Sequence, residues 1–395
     1  MKRIAVFCDG TWSSADQEHR TNVAQLALCV PPSGADGVAQ VALYYEGVGV
    51  PQGGNMLQRL DEKLSGGAMG FGLNNRIAQA FQGLARHYEP GDQVFLFGFS
   101  RGAYTARSLA GLIRNCGLPK GASDDLIRDC FWRYRSRGTD EEPDSDESLA
   151  FRLHHCPEIT TSRAEDLFRR AIGRPAPRFR VTYLGIWDTV GALGIPSHWG
   201  IPANLLNRKH QFHDTQLSGM VSSARHAVAL DERRRNFLPT LWDNLPILRH
   251  ENPEGEYLQQ WFAGVHGAVG GGGDVTALSC IALSWIADGA ARAGLGLDRA
   301  MLRQLMADAD PLGPISNSTR GPGWGRRILD LSSIDRSGPS AIADLAHPAI
   351  ARFHARSLPA AWQGRPYRPK SLDRIGQQIG RVDLAQLRDY AQAFA

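Results

Sequence analysis

Short runs of consecutive apolar residues punctuate this chain, and between them lie longer segments whose apolar residues recur every third or fourth position. Ile4 to Cys8, Val38 to Tyr45, Val94 to Phe97, Arg180 to Trp187 and Tyr257 to Val265 read as strands, the first of them fully apolar and buried. Leu73 to His87 places Leu73, Ile77, Ala80, Phe81 and Leu84 on one face of a helix, and a further apolar helix is predicted near Ala277 to Ala293. Strands that alternate with helices imply right-handed crossovers, so the expected fold class is α/β: a mainly parallel sheet with helices on both faces. The stretch Ser65 to Gly72 is rich in glycine, has no lysine and follows no strand, and it reads as a flexible loop and not a phosphate cradle. One domain is expected to span 1–395, with two insertions above the sheet acting as caps. The first, 119–177, is charged and helical; the second, 194–214, carries Ile195, Trp199, Ile201, Leu205 and Leu206 between prolines.

The run Val94-Phe95-Leu96-Phe97 leads directly into Gly98-Phe99-Ser100-Arg101-Gly102-Ala103-Tyr104 and then a helix of small residues. With 43 glycines in the chain the bare Gly-x-Ser-x-Gly pattern carries little weight; the strand before it and the helix after it make it a nucleophile elbow. A serine at the tip of so sharp a turn sits in strained backbone, and Gly98 and Gly102 supply the missing side chains that let the chain pass. The fold expected from this motif is that of an α/β hydrolase. A serine hydroxyl needs a base to remove its proton and a carboxylate to orient that base, and in such hydrolases the chain order is serine, acid, histidine. Asp188 follows the strand that ends at Trp187, and His266 follows Trp261-Phe262-Ala263-Gly264-Val265. Ser100, Asp188 and His266 are therefore the candidate catalytic residues. The amide of Arg101 and the loop Gly10-Thr11 after the first strand are the candidate oxyanion donors, with an Asx-turn at Asp9 as the alternative for that loop.

Composition narrows the partners. A chain of 395 residues with 43% hydrophobic and 21% charged residues supports a sizeable core and excludes disordered and fibrous classes. A net charge of +4 with scattered arginines excludes a nucleic-acid binder; Arg169-Arg170 and Arg233-Arg234-Arg235 read as solvated faces. Six cysteines stand singly, so neither a zinc site nor a disulfide framework is indicated, and reduced thiols fit a cytoplasmic protein. His154-His155 and His210-x-x-His213-Asp214 lack a second ligand pair, so no metal and no cofactor is expected. No secretory signal opens the sequence and no segment is long and apolar enough to span a membrane, so action outside the cell would require a dedicated export machine.

Five dispersed blocks together resemble a known family. They are Phe7-Cys8-Asp9-Gly10-Thr11-Trp12, Gly98-Phe99-Ser100-Arg101-Gly102-Ala103-Tyr104, Trp187-Asp188-Thr189-Val190-Gly191, Arg225 to Arg234, and Trp261 to His266, with Tyr367-Arg368-Pro369 near the end. The chain resembles the DUF2235 family, the Tle1-like catalytic domain named for phospholipase effectors of the type VI secretion system. The resemblance implies an α/β-hydrolase sheet with Ser100 as nucleophile and the acid and histidine roles on Asp188 and His266. One departure is that Ala268 stands where the family commonly has an aspartate, with Asp274 as a candidate substitute. The function expected is a serine esterase or lipase acting on carboxylic esters of lipids or phospholipids, with Trp199 and Leu205 as lid contacts to substrate. Expected partners are a lipid or ester substrate, a membrane surface touched peripherally and secretion machinery, with no nucleic acid. Two alternatives stay open: an intracellular esterase for small soluble esters, and a binding module without catalysis on a hydrolase fold.

Overall fold

A computed structural model describes residues 1–49, 68–121, 123–136, 138–191, 216–319, 333–355 and 365–387 of the chain. Six strands, β1 (Arg3–Cys8), β2 (Gln40–Tyr45), β3 (Gln93–Phe99), β4 (Val181–Trp187), β5 (Ala224–Ala229) and β6 (Tyr257–Phe262), form one sheet in the order β2-β1-β3-β4-β5-β6. Every neighbouring pair is parallel. The chain is an α/β protein of the class expected from the strand and helix alternation.

Side chains of a strand alternate between faces, and both faces here are covered. Ile4, Val6, Cys8, Val94 and Leu96 point into one core, shared with α2 (Ala68–His87), α3 (Arg101–Cys116) and α4 (Asp124–Arg135). Ala5, Phe7, Phe95, Phe97 and Phe99 point into the other, shared with α1 (Asn22–Leu28) and α9 (Ala277–Arg292). Phe7 and Phe97, directly opposite in register, stack with ring centroids 4.8 Å apart. The remaining helices are α5 (Asp146–His155), α6 (Arg163–Ala171), α7 (Leu245–Glu251), α8 (His266–Gly270), α10 (Arg299–Leu305), α11 (His347–His354) and α12 (Gly376–Ile379). Among the described residues no helix is long and apolar enough to cross a membrane.

Several sequence expectations are corrected here. The glycine-rich stretch is not all loop, because α2 already begins at Ala68. The strand predicted to reach Val265 ends at Phe262, where Gly264 at φ 115° turns the chain. Strand β5 carries no apolar run and was missed: its Arg225 and His226 are buried, and each is paired. Arg225 donates to Glu256 (2.6 Å), Asp288 (3.0 Å) and the carbonyl of Trp285 (2.5 Å). His226 Nε2 accepts from the amide of Thr189 at 3.2 Å, and its Nδ1 lies 3.0 Å from Gln259 Oε1. Buried polar groups satisfied this fully can occupy a central strand.

The helices of 119–177, expected as a cap, pack against α3. They dock on the C-terminal half of α3: Tyr134 covers Gly111, Cys116 Sγ lies 3.4 Å from the Cys130 carbonyl, and Arg152 donates to the carbonyl of Asn115 at 2.8 Å. At 1.5 Å rise per residue these contacts lie roughly 15 Å or more along α3 from Arg101 at its start. Arg169, expected on a solvated face, is fully buried. It and Arg152 flank the equally buried Glu165, at 2.6 and 2.7 Å. Arg169 also donates to the carbonyls of Cys156 (3.0 Å) and Pro157 (2.7 Å), which is why it can leave water. The other expected cap, 194–214 with Trp199 and Leu205, lies outside the described residues. Because two guanidinium groups share one carboxylate, Glu165→Gln should orphan buried charge and cost about 3–5 kcal/mol in urea unfolding. A loss below about 1 kcal/mol would show that water reaches the cluster.

Candidate active site

Parallel strands deliver their carboxyl ends to one edge of the sheet, and the candidate residues leave β3, β4 and the turn after β6 at that edge. Phe99 pairs in register with Trp187, so the residues that follow them, Ser100 and Asp188, emerge side by side. The Ser100 amide donates to the carbonyl of Trp187 at 3.0 Å.

Ser100 sits at φ 57° and ψ −122°, a conformation that non-glycine residues rarely adopt and that costs of order 1–3 kcal/mol. The surrounding packing imposes it. A Cβ at Gly98 would press on the backbone of Gly102, and one at Gly102 would press on the carbonyls of Cys8 and Asp9. The first turn of α3 therefore rests directly on the end of β1, with no room for a methyl group between them. Arg101 opens that helix, in the turn whose N–H groups point outward along the axis and favour negative charge.

Asp188 has no solvent exposure and also lies at positive φ, 35°. Its Oδ1 accepts from the amide of Ala229 at 2.9 Å and from Arg336 Nη1 at 2.6 Å. Its Oδ2 accepts from Arg336 Nη2 at 2.9 Å and lies 2.6 Å from His266 Nδ1. Burial pushes this carboxyl upward, but the Arg336 charge and the His266 hydrogen bond outweigh it, so the group lies well below the usual carboxylate range. The carboxylate accepts a hydrogen bond from Nδ1–H, which in the neutral tautomer leaves Nε2 as the acceptor nitrogen. His266 starts α8 and is held between two aromatic rings: Phe99, the residue before Ser100, at 4.6 Å and Phe237 at 4.8 Å between centroids. Its backbone amide donates to Glu232 Oε2 at 3.2 Å, and Glu232 is in turn gripped by Arg234 at 2.7 Å.

Two other carboxylates, Asp9 and Asp274, are engaged away from His266. Asp9 accepts from the Gly10 amide (2.6 Å), Thr21 Oγ1 (2.8 Å) and Tyr44 Oη (2.5 Å). Burial raises the Asp9 carboxyl despite those bonds. Asp274 accepts from the Thr319 amide at 3.0 Å. Ala268 is buried in the apolar core. The Gly10 amide, expected as an oxyanion donor, is thus given to the Asp9 carboxylate next to it. Thr11 Oγ1 is buried without a hydrogen-bond partner among the described residues. Arg336, Phe237 and Glu232 were not singled out in the sequence. Glu232 stood inside a quoted block, but an isolated arginine beyond the last predicted helix carries no signal.

Comparison with known proteins fixes the class. Residues 2–289 match the family described as T6SS, Phospholipase effector Tle1-like, catalytic domain, and the chain belongs to that family. A curated relative, the "Uncharacterized protein YEL023C" of Saccharomyces cerevisiae, is 28% identical over 254 residues. That stretch covers 62% of this chain and 33% of the relative, so the chain spans about a third of that protein's length. Two solved structures are similar at low identity. An uncharacterized protein from Pseudomonas aeruginosa shares 17% identity at a TM-score of 0.40, covering 79% of this chain and 49% of that one. A Tle1 effector bound to the VgrG spike from the Type 6 secretion system shares 14% at 0.37, covering 95% and 83%.

Gly102→Ala should lower unfolding stability by about 3 kcal/mol, since the methyl meets backbone and not a movable side chain. An unchanged unfolding midpoint would show that the turn is roomier than its glycines indicate.

Proposed function

We propose that this chain is a serine esterase of the lipase or phospholipase kind, acting through an acyl-enzyme on Ser100. The observation that carries the proposal is the 2.6 Å contact of Asp188 with His266 Nδ1 at the sheet edge where the strained Ser100 turn emerges. In this reading Ser100 Oγ attacks the ester carbonyl carbon and passes its proton to His266 Nε2, while Asp188 holds the ring and offsets the imidazolium charge. Negative charge on the former carbonyl oxygen is met by the amides of Arg101 and Thr11. The carbon–oxygen bond to the alcohol then breaks, and the alcohol leaves with the His266 proton. Water attacks the acyl-serine, gives a proton to His266 and releases the fatty acid, and His266 returns that proton to Ser100.

A lipid as the source of the ester rests on membership of the phospholipase effector family and on the apolar composition of 194–214. The same family description supports residence in the producer's cytoplasm, release through secretion machinery and peripheral contact with a membrane. No metal or cofactor takes part in this scheme.

Ser100→Ala should leave the unfolding transition near its wild-type position and remove ester turnover except for the roughly 10³-fold over water that oxyanion binding alone supplies. Turnover that persists at the wild-type level would sink the mechanism. Asp188→Asn should lower kcat by up to about 10⁴-fold with KM little changed, because the amide stabilises the wrong tautomer of His266. Wild-type activity in that variant would dismiss Asp188 as the orienting acid. Comparing turnover of micellar phospholipid with a short soluble ester tests the substrate class. Preference for the aggregated lipid is expected, and equal or greater turnover of the soluble ester would favour a small-ester esterase.

A further inference from the structure

A buried carboxylate that orients a histidine needs that histidine as a partner. Asp188 has a second. Arg336, whose side chain is 1% exposed, spans both oxygens of Asp188 at 2.6 and 2.9 Å. It also donates to the carbonyls of Ala229 (2.7 Å) and Phe237 (2.5 Å), so its fork is fixed in place. The residues just before it are anchored: the Ile334 amide donates to the Arg233 carbonyl at 2.8 Å, and Asp335 pairs with Arg233 at 2.8 Å. Arg336 lies beyond residues 2–289, the span that matches the family.

We propose that Arg336 is a positioning residue of the active site, clamping Asp188 and offsetting its charge so as to set how tightly the Asp188–His266 pair holds its proton. The inference rests on the serine-hydrolase reading of that pair. A full negative charge 2.6 Å from the imidazole would draw a proton onto the couple, and a guanidinium on the same carboxylate cancels much of that pull. The couple then gives up its proton at lower pH and stays available as a base. The other groups around it have partners of their own. Glu232, which faces the His266 amide, is paired with Arg234. Asp231 accepts from Tyr367 Oη at 2.7 Å and from the Gly264 amide at 2.6 Å. His226, on β5 behind Asp188, is pushed down to about 3, by burial first and the Arg107 charge second, and stays neutral. Among the described residues Arg336 is the fixed cation in direct contact with Asp188.

The test is a titration of the pair by NMR in protein labelled with ¹⁵N-histidine, with His266→Gln to assign the signals. In Arg336→Gln the midpoint of the pair should rise by about one pH unit or more, and in Arg336→Lys, which keeps the charge, it should stay within a few tenths of wild type. The acid limb of kcat/KM should move with it, at unchanged KM. An unmoved midpoint in folded Arg336→Gln, or a shift in Arg336→Lys as large as in Arg336→Gln, would overturn the proposal. If Arg336→Gln does not fold, adding Asp188→Asn removes the orphaned buried charge and should restore folding; a double variant that stays unfolded would show that Arg336 does not serve Asp188. The titration needs no turnover. A wild-type protein without ester hydrolysis would therefore sink the esterase reading while the NMR result still decides the role of Arg336.

Discussion

A carboxylate sealed from water has to be kept ionised by its neighbours, and the arrangement around Asp188 answers to that constraint. Transfer of a lone carboxylate out of water is unfavourable by many kcal/mol, and the chain meets it with four donors drawn from three distant parts of the sequence. The amide of Ala229 comes from β5, His266 from the turn after β6, and Arg336 from the C-terminal segment. Each of these must be in place for Asp188 to be tolerated. The carboxylate thereby ties the sheet edge to residues more than a hundred positions away, and the segment after residue 333 becomes part of the site rather than an appendage.

The sheet supplies the geometry that makes such convergence possible. In a parallel sheet every strand ends on the same edge, so residues that follow strands are neighbours however far apart they lie in the chain. The register of Phe99 with Trp187 brings Ser100 beside Asp188, and the Phe99 ring against His266 links the strand that precedes Ser100 to the candidate base. Beneath Ser100 the backbone packs too closely for any side chain at Gly98 or Gly102, where α3 rests on the end of β1. The core on either side is what allows these strained positions to persist, because relaxing them would displace closely packed backbone.

What could be read in the sequence follows from that logic. Strands β1, β3 and β4 were apolar runs, and each announced a polar residue at its end. The positions of Ser100, Asp188 and His266 at the sheet edge were readable for that reason. Strand β5 hid its nature behind Arg225 and His226, whose burial depends on Glu256, Asp288, Gln259 and Thr189, partners that no local pattern reveals. Arg169 was misread for the same reason: a charged residue looks solvated until its partner Glu165 is seen. The Gly10 amide, offered to substrate in the sequence reading, is held by the carboxylate next to it, a one-residue contact that competes with any role at a distance. Long-range pairing of polar groups is the part of the structure that periodicity does not encode.

The central claim is that Ser100 is an activated nucleophile. Incubation with a fluorophosphonate probe followed by peptide mapping tests it most directly, since stable phosphonylation requires a serine whose proton has a base to go to. The account predicts a single adduct on Ser100 that is lost in Ser100→Ala and strongly slowed in His266→Ala. Absence of labelling in the folded wild-type protein, or an adduct on another residue that survives Ser100→Ala, would contradict it.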